Sequence, residues 1–171
     1  MNKILKKLLA QIKKIELLKL FYPKKTESNP NYANDQYHLG NIQVKLKEYE
    51  KAKNCYTNAI QADSKHKYAQ INLGNVLVAL NQPQSAINFF EKAIEIDSNF
   101  EDAHYNLGKL FSKLTNYQKA ISCYEKVIQI DPNYKHAHNN LGVIFQELGD
   151  YQKALTSYQK VIQIDPNYKH I

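Results

Sequence analysis

One stretch of 34 residues, present in four copies, decides the fold of this chain. Residues 101–134 read EDAHYNLGKLFSKLTNYQKAISCYEKVIQIDPNY, and the same pattern occupies 33–66, 67–100 and 135–168 with no insertion or deletion. Position 8 of every copy is glycine; the four residues are Gly40, Gly74, Gly108 and Gly142. A fixed period of this length predicts a stack of one small structural unit.

Each copy is predicted to be a pair of helices. In residues 101–134 the apolar side chains recur at helical spacing in two bursts, which Thr115 and Asn116 separate. Proline disfavours helical backbone in the residue before it, so Pro132 marks the end of a second helix. Pro83 stands where the second helix of its copy begins, and it is tolerated only in the first turn of that helix.

The glycines at position 8 need a physical reason, because glycine inside a helix costs about 1 kcal/mol relative to alanine. We expect each glycine to let the second helix approach closely. Position 20 is always alanine, which predicts a slim seam of glycine against alanine between the two helices. These alanines are Ala52, Ala86, Ala120 and Ala154. Position 24 adds a ring around this contact, from Tyr56, Phe90, Tyr124 or Tyr158.

The pattern resembles the tetratricopeptide repeat. The matching features are Leu-Gly at positions 7 and 8, tyrosine at 17, alanine at 20, an aromatic residue at 24 and proline at 32. The tryptophan that is frequent at position 4 is absent, and its replacements are Gln36, Gln70, His104 and His138. Ser64 and Ser98 replace the proline in the first two copies. The resemblance implies an all-α fold, a right-handed α-solenoid of stacked antiparallel helix pairs.

The chain is predicted to have three parts. Residues 1–32 form a basic amphipathic helix with a linker, residues 33–168 form the four repeats, and residues 169–171 begin a further repeat. The last three residues copy the opening of the fourth repeat, Lys135-His136-Ala137. We therefore expect the array to belong to a longer protein.

The charge is concentrated in the leader. The whole chain carries a net charge of +7, and residues 1–32 hold eight lysines against Glu16 and Glu27, a net charge of +6. Residues 33–171 are almost neutral, at +1. Because binding to nucleic-acid phosphates needs a basic surface on the folded array, nucleic acid is not an expected partner.

Neither the cysteines nor the histidines predict a metal, cofactor or catalytic site. Cys55 and Cys123 stand two repeats apart, too far for the Cα separation of about 4.4–6.8 Å in a disulfide, so we expect free thiols in a reducing, cytoplasmic compartment. His136 and His138 point to different sides of a helix, and His104 and His138 are expected to pack. The sequence has no paired carboxylates, nucleophile elbow or phosphate-binding loop, so an enzyme is not predicted.

The leader is strongly amphipathic when residues 4–18 are placed on a helix. Its apolar side chains lie on one side, and the lysines on the other are Lys3, Lys6, Lys7, Lys13 and Lys14. Charges interrupt the apolar stretch, so it neither spans a bilayer nor resembles a cleavable signal. Three interpretations remain: a helix docked on the first repeat, an in-plane contact with an anionic membrane surface, or a disordered or oligomerising segment.

Partner binding is expected on the first helices. In the tetratricopeptide family these helices line a concave wall, and the resemblance implies that positions 2, 5, 6, 9, 12 and 13 face it. The candidate residues are Tyr37, Asn41, Asn72, Asn75, Tyr105, Asn106, Lys109, Lys113, Asn139, Asn140 and Gln146. Carboxamides both donate and accept hydrogen bonds, so this wall suits an extended peptide with weak sequence demands.

Two binding modes of the family make different demands on these positions. The two-carboxylate clamp for chaperone tails requires three basic residues, and Tyr37, Asp102 and Asn106 occupy their positions. A clamp for acidic tails is therefore not expected. The O-linked N-acetylglucosamine transferase uses a ladder of asparagines at position 6, which Asn72, Asn106 and Asn140 match in three of the four copies.

The sequence thus favours a non-enzymatic scaffold that binds an extended segment of another protein on the concave wall. Two alternatives stay open. The array could be a substrate-docking module of a larger transferase-type enzyme, whose catalytic domain would lie downstream of Ile171. It could also be a membrane-tethered assembly factor, which depends on the helix over residues 4–18.

The membrane interpretation predicts that the leader carries the chain to anionic lipid. Deleting residues 1–25 should abolish co-sedimentation with vesicles that contain phosphatidylserine, because the leucines and lysines that contact the headgroup region are removed. High salt should weaken the binding of the full chain. Equal pelleting of the full and shortened chains would exclude this interpretation.

Overall fold

The computed structural model describes residues 31–167 and, before them, Lys13 alone, an exposed helical residue. It divides the chain into two compact units, Met1–Ala86 and Ile87–Ile171. The rest of the predicted leader helix, with Lys3, Lys6, Lys7 and Lys14, lies outside the described residues. Residues 169–171 lie outside them as well.

All regular structure in residues 31–167 is helical. The first unit contains α1 (Tyr32–Lys45), α2 (Tyr49–Ala62) and α3 (Lys67–Ala79), and the boundary between the units falls within α4 (Pro83–Ile96). The second unit contains α5 (Glu101–Lys113), α6 (Tyr117–Ile130), α7 (Lys135–Glu147) and α8 (Tyr151–Ile164). Each 34-residue copy thus holds two helices, which confirms the predicted helix pairs. The start of α4 at Pro83 confirms its place in the first turn.

Neighbouring helices pack in sequence order within each unit. In the first unit α1 packs on α2 and α2 on α3; in the second, α5 packs on α6, α6 on α7 and α7 on α8. None of the helices in the described part of the chain is long and apolar enough to span a membrane. Among the described residues, neither Cys55 nor Cys123 forms a disulfide.

At Gly40, Gly108 and Gly142 the nearest side chain is the tyrosine ring of position 24, whereas the sequence pattern predicted the alanine of position 20. A methyl group added to Gly40 would lie 2.5 Å from Cε1 of Tyr56, and one added to Gly142 would lie 2.6 Å from Cε1 of Tyr158. The methyl group of an alanine at position 108 would likewise meet the Tyr124 ring, at 2.9 Å. The alanines of position 20 are buried as expected, but the ring takes the space that the missing side chain leaves.

The turn inside each pair is the same in all four copies. Position 15 adopts a left-handed backbone, with φ of 60° at Lys47, 58° at Asn81, 58° at Thr115 and 76° at Gly149. The N–H of the next residue reaches back to the carbonyl five residues earlier, as from Asn116 to Phe111 at 2.9 Å. This is the Schellman ending of a helix, which glycine and asparagine accept best. Gly149, the fifth glycine of the chain, therefore supplies the left-handed residue of the last of these turns.

The loop between successive pairs is held by an aspartate at position 31. Its carboxylate accepts a hydrogen bond from the backbone N–H two residues on, at 2.9 to 3.2 Å; the residues are Asp63, Asp97, Asp131 and Asp165. Such Asx turns form equally well with Ser64 and Ser98 as with the prolines. In the last three copies the side chain at position 4 bonds the loop carbonyl six residues earlier, as His104 Nε2 does to Ser98 at 3.0 Å. His138 bonds the carbonyl of Pro132 in the same way.

The contact between glycine and ring predicts that a methyl group at position 8 destabilises the protein when the ring cannot move. Tyr56 is 1% exposed, whereas Tyr158 is half-buried and can turn outward. Gly40→Ala should therefore lower the free energy of unfolding by about 1–2 kcal/mol, because the cost of overpacking exceeds the gain in helix propensity. Gly142→Ala, the matched control, should be neutral or stabilising in urea denaturation. Equal losses at the two sites would contradict the argument.

The left-handed turn predicts a stabilising substitution. Thr115 is β-branched and holds φ near 58°, a conformation that costs L-residues about 1–2 kcal/mol. Thr115→Gly should raise the unfolding free energy by up to about 1 kcal/mol, because the relief of strain exceeds the entropy that glycine loses. Asn81→Gly is the control and should change little, since asparagine already tolerates this conformation. A loss of stability in the Thr115 variant would refute the strain.

Candidate functional site

A groove in the first unit brings three of the predicted binding residues together. It lies between α1, α2 and α3 and has a volume of about 360 Å³. Its lining residues are Asn41, Val44, Lys45, Tyr49, Tyr56, Asn72, Asn75 and Val76. Asn41, Asn72 and Asn75 were in the predicted set, and helical spacing places Asn72 and Asn75 on one face of α3.

A buried hydroxyl ties two of these carboxamides together. The O–H of Tyr56 donates to Oδ1 of Asn41 at 2.7 Å, and Nδ2 of Asn72 donates to the same oxygen at 2.8 Å. Nδ2 of Asn72 also lies 3.5 Å from the Tyr56 hydroxyl oxygen. Burial raises the pKa of Tyr56 well above its usual value, so the hydroxyl stays protonated and remains a donor.

The groove combines an apolar floor with a polar rim. Val76 is buried and Val44 is half-buried, whereas Asn75 and Lys45 are exposed. Lys45 is the single charged residue among the lining residues. An arrangement of this kind can hold an uncharged polar chain through hydrogen bonds and still bury apolar side chains against the floor.

Tyr37 is not among the residues that line this groove. Its ring packs against His66 with a centroid distance of 4.9 Å and against Tyr56 at 6.2 Å. His66 caps α3, since its Nδ1 accepts from the N–H of Ala69 at 3.2 Å. Tyr37 therefore supports the ring of Tyr56 from the side, and its binding role stays a prediction.

In the second unit the predicted residues are engaged in several separate contacts. The ring of Tyr105 packs on Tyr124 at 5.9 Å and on Tyr134 at 5.1 Å, and Nζ of Lys109 lies 5.5 Å from its centroid. Burial first, and then the charge of Asp102, raises the pKa of Tyr134 to about 12. These rings form a cluster beside α5, in which Tyr105 is held by its aromatic neighbours.

The remaining predicted residues of this unit have different surroundings. Oε1 of Gln146 accepts from the Tyr158 hydroxyl at 3.1 Å. Oδ1 of Asn139 is buried, and none of the described groups donates to it. Lys113 is exposed near the end of α5. Within residues 31–167 these contacts do not gather the three side chains in one site.

The asparagines of the predicted ladder are held in different ways. Nδ2 of Asn72 is bonded as above, and Nδ2 of Asn140 donates to the Tyr124 hydroxyl at 3.1 Å. Nδ2 of Asn106 instead donates to the backbone carbonyl of Asp102 in its own helix, at 2.9 Å. The three carboxamides are thus not equivalent, although the sequence places them at one position of the repeat.

A second cavity, of about 400 Å³, lies at the loop ends of the second unit. Its lining residues are Asp131, Asn133, Tyr134, Lys135, His136, Ile164 and Asp165. Nζ of Lys135 and Oδ2 of Asp165 form an ion pair across it, at 2.7 Å. Within the described residues no group of three or more histidine, cysteine or carboxylate side chains could hold a metal ion.

Sequence reasoning missed five of the groove residues. Lys45 and Val44 stand at positions 13 and 12, which the family resemblance already assigns to the concave wall. Tyr56 was assigned to the core from its ring alone. Its hydroxyl could have been noticed, because the second repeat has phenylalanine at the same position. Tyr49 and Val76 carry no signal beyond the helical pattern.

Comparisons with known proteins match this architecture. Models of the tetratricopeptide repeat match residues 36–66, 101–134 and 136–168, and a further TPR repeat model matches residues 74–115. Among the curated proteins, none matches the chain.

Three solved structures illustrate the likeness. YrrB, described as a TPR protein with an unusual peptide-binding site, is 29% identical, with a TM-score of 0.76 over 95% of this chain and 84% of its own. MamA from Desulfovibrio magneticus RS-1 is 20% identical, with a TM-score of 0.78 over 94% and 88%. The first TPR of Spaghetti (RPAP3), bound to the HSP90 peptide SRMEEVD, is 24% identical, with a TM-score of 0.68 over 73% and 99%.

These solved structures support the predicted all-α class, an α-solenoid of helix pairs. The family models together cover most of residues 36–168. The chain belongs to the tetratricopeptide repeat family.

Proposed function

We propose that this protein is a binding scaffold that holds an extended segment of a partner protein in the groove between α1, α2 and α3. The observation that carries the proposal is the joint presence of Asn41, Asn72 and Asn75 around an apolar floor. Carboxamides can pair with both the N–H and the C=O of a peptide backbone. The volume of about 360 Å³ also falls in the usual range of ligand sites, about 300–1,000 Å³.

The groove favours recognition of the main chain over recognition of charge. Lys45 offers one exposed cation at the rim, and no carboxylate lines the groove. A single exposed charge contributes little to affinity, because solvent and salt screen it. Binding should therefore be moderate in strength and tolerant of the partner's sequence.

The comparison with YrrB supports the same role. That protein is described as having a peptide-binding site, and its identity of 29% extends over almost the whole of this chain. The two alternatives, an enzyme's docking module and a membrane tether, depend on segments outside residues 31–167 and stay predictions. No contact in the described residues favours either of them.

The test uses peptides chosen by the groove itself. A phage-displayed library of random peptides is selected for binding to the full chain. Peptides that also bind the Asn75→Arg variant are removed, because the exposed side chain of this variant should fill the groove. Binding of the surviving peptides is then measured by fluorescence anisotropy.

Asn72→Ala should weaken this binding about tenfold, because an amide group of the bound peptide is then buried without its hydrogen bond. Asn106→Ala is the matched control, since its carboxamide bonds its own helix in the second unit, and it should leave binding unchanged. Circular dichroism should show equal helicity for both variants. A library without groove-dependent binders, or equal losses in the two variants, would overturn the proposed function.

A further inference from the structure

The hydroxyl of Tyr56 decides which polar groups the groove can offer. Oδ1 of Asn41 accepts from both the Tyr56 O–H and Nδ2 of Asn72. A carboxamide oxygen has two lone pairs, so both are used. Asn41 is then left with its NH₂ group, a donor, while Asn72 is left with its oxygen, an acceptor.

The second unit contains a natural comparison. Tyrosine and asparagine again stand sixteen residues apart at Tyr124 and Asn140, and the carboxamide again donates to the hydroxyl, at 3.1 Å. Phe90 and Asn106 have the same spacing, but phenylalanine has no hydroxyl. Asn106 turns to the backbone carbonyl of Asp102 instead. The three asparagines share one position in the repeat, but the carboxamide points to the ring only where that ring carries a hydroxyl.

We propose that Tyr56 is a positioning residue for partner recognition, which fixes Asn41 as a donor and Asn72 as an acceptor for one residue of an extended peptide. This inference rests on the proposed function of the groove. The N–H and C=O of one residue in an extended chain point to the same side, as in the bonded pairs of antiparallel strands. They match the acceptor of Asn72 and the donor of Asn41.

The proposal defines the chemistry of the bound segment. One of its residues must keep a backbone N–H, so proline and N-methylated residues are excluded at that place. The two carboxamides bond only the backbone of that residue and do not select its side chain. Removal of the hydroxyl leaves Asn41 free to turn its amide over, and the donor and acceptor are then no longer fixed.

The first test compares two variants of the full chain that each lose only a hydroxyl. Tyr56→Phe keeps the ring that fills the space beside Gly40, so it should fold. It should weaken binding of the library-selected peptides about fivefold, as expected when one buried hydrogen bond no longer orients its partners. Tyr124→Phe is the control with the same burial and the same change, and it should leave this binding unchanged.

A second test asks whether the hydroxyl acts through Asn41, the residue to which it donates. N-methylation of the selected peptide at each residue in turn should identify one position where wild-type binding is lost, and that loss should be much smaller in Asn72→Ala. In a double-mutant cycle, Tyr56→Phe should add little to Asn41→Ala. Additive losses would show that Tyr56 does not act through Asn41 and would overturn the inference.

The free protein gives a readout that does not need a peptide. The side-chain NH₂ signals of Asn41 and Asn72 in ¹H–¹⁵N spectra should shift and broaden in Tyr56→Phe and stay unchanged in Tyr124→Phe. Unchanged signals in Tyr56→Phe would refute the positioning role even if peptides bind the groove. Absence of any groove-dependent peptide would overturn the proposed function, and this inference with it.

Discussion

The contact between a glycine on one helix and a tyrosine ring on the next is the constraint on which the repeat depends. At Gly40 and Gly142 the ring lies where a Cβ atom would be, at 2.5 and 2.6 Å. No side chain larger than hydrogen fits there without moving the ring. Close packing of this kind explains why glycine stands in the middle of a helix despite its poor propensity.

The same ring links the core to the groove. Tyr56 packs on Gly40 through its carbon atoms and holds two carboxamides through its hydroxyl. Because the ring is fixed by the glycine contact, the hydroxyl has a fixed position too. A surface built in this way is preorganised, which would lower the entropy lost on binding of the proposed peptide. The second repeat has Phe90 at the same position, and phenylalanine has no hydroxyl to form this link.

The sequence predicted the fold closely, and three of its candidate binding residues, Asn41, Asn72 and Asn75, lie in one groove. Helix pairs, turns and the start of α4 followed from the apolar period, from Thr115-Asn116 and from Pro83, because these signals are local in the chain. The candidate wall was broader than the groove: Tyr37 and Tyr105 stack with other rings, and Asn106 bonds its own helix. A helical period states which side of a helix a residue occupies. It does not state which neighbour its polar atoms will meet.

The sequence by itself determined the repeat, the pairing of helices and the burial of one stripe on each, since periodicity fixes which face must leave water. Only the tertiary structure decided that Gly40, Gly108 and Gly142 face tyrosine rings. It also decided that Asn41, Asn72 and Tyr56 share one network. The physical reason is that hydrogen bonds and ring contacts depend on distances of a few tenths of an ångström between helices, and a pattern of residue types does not encode them.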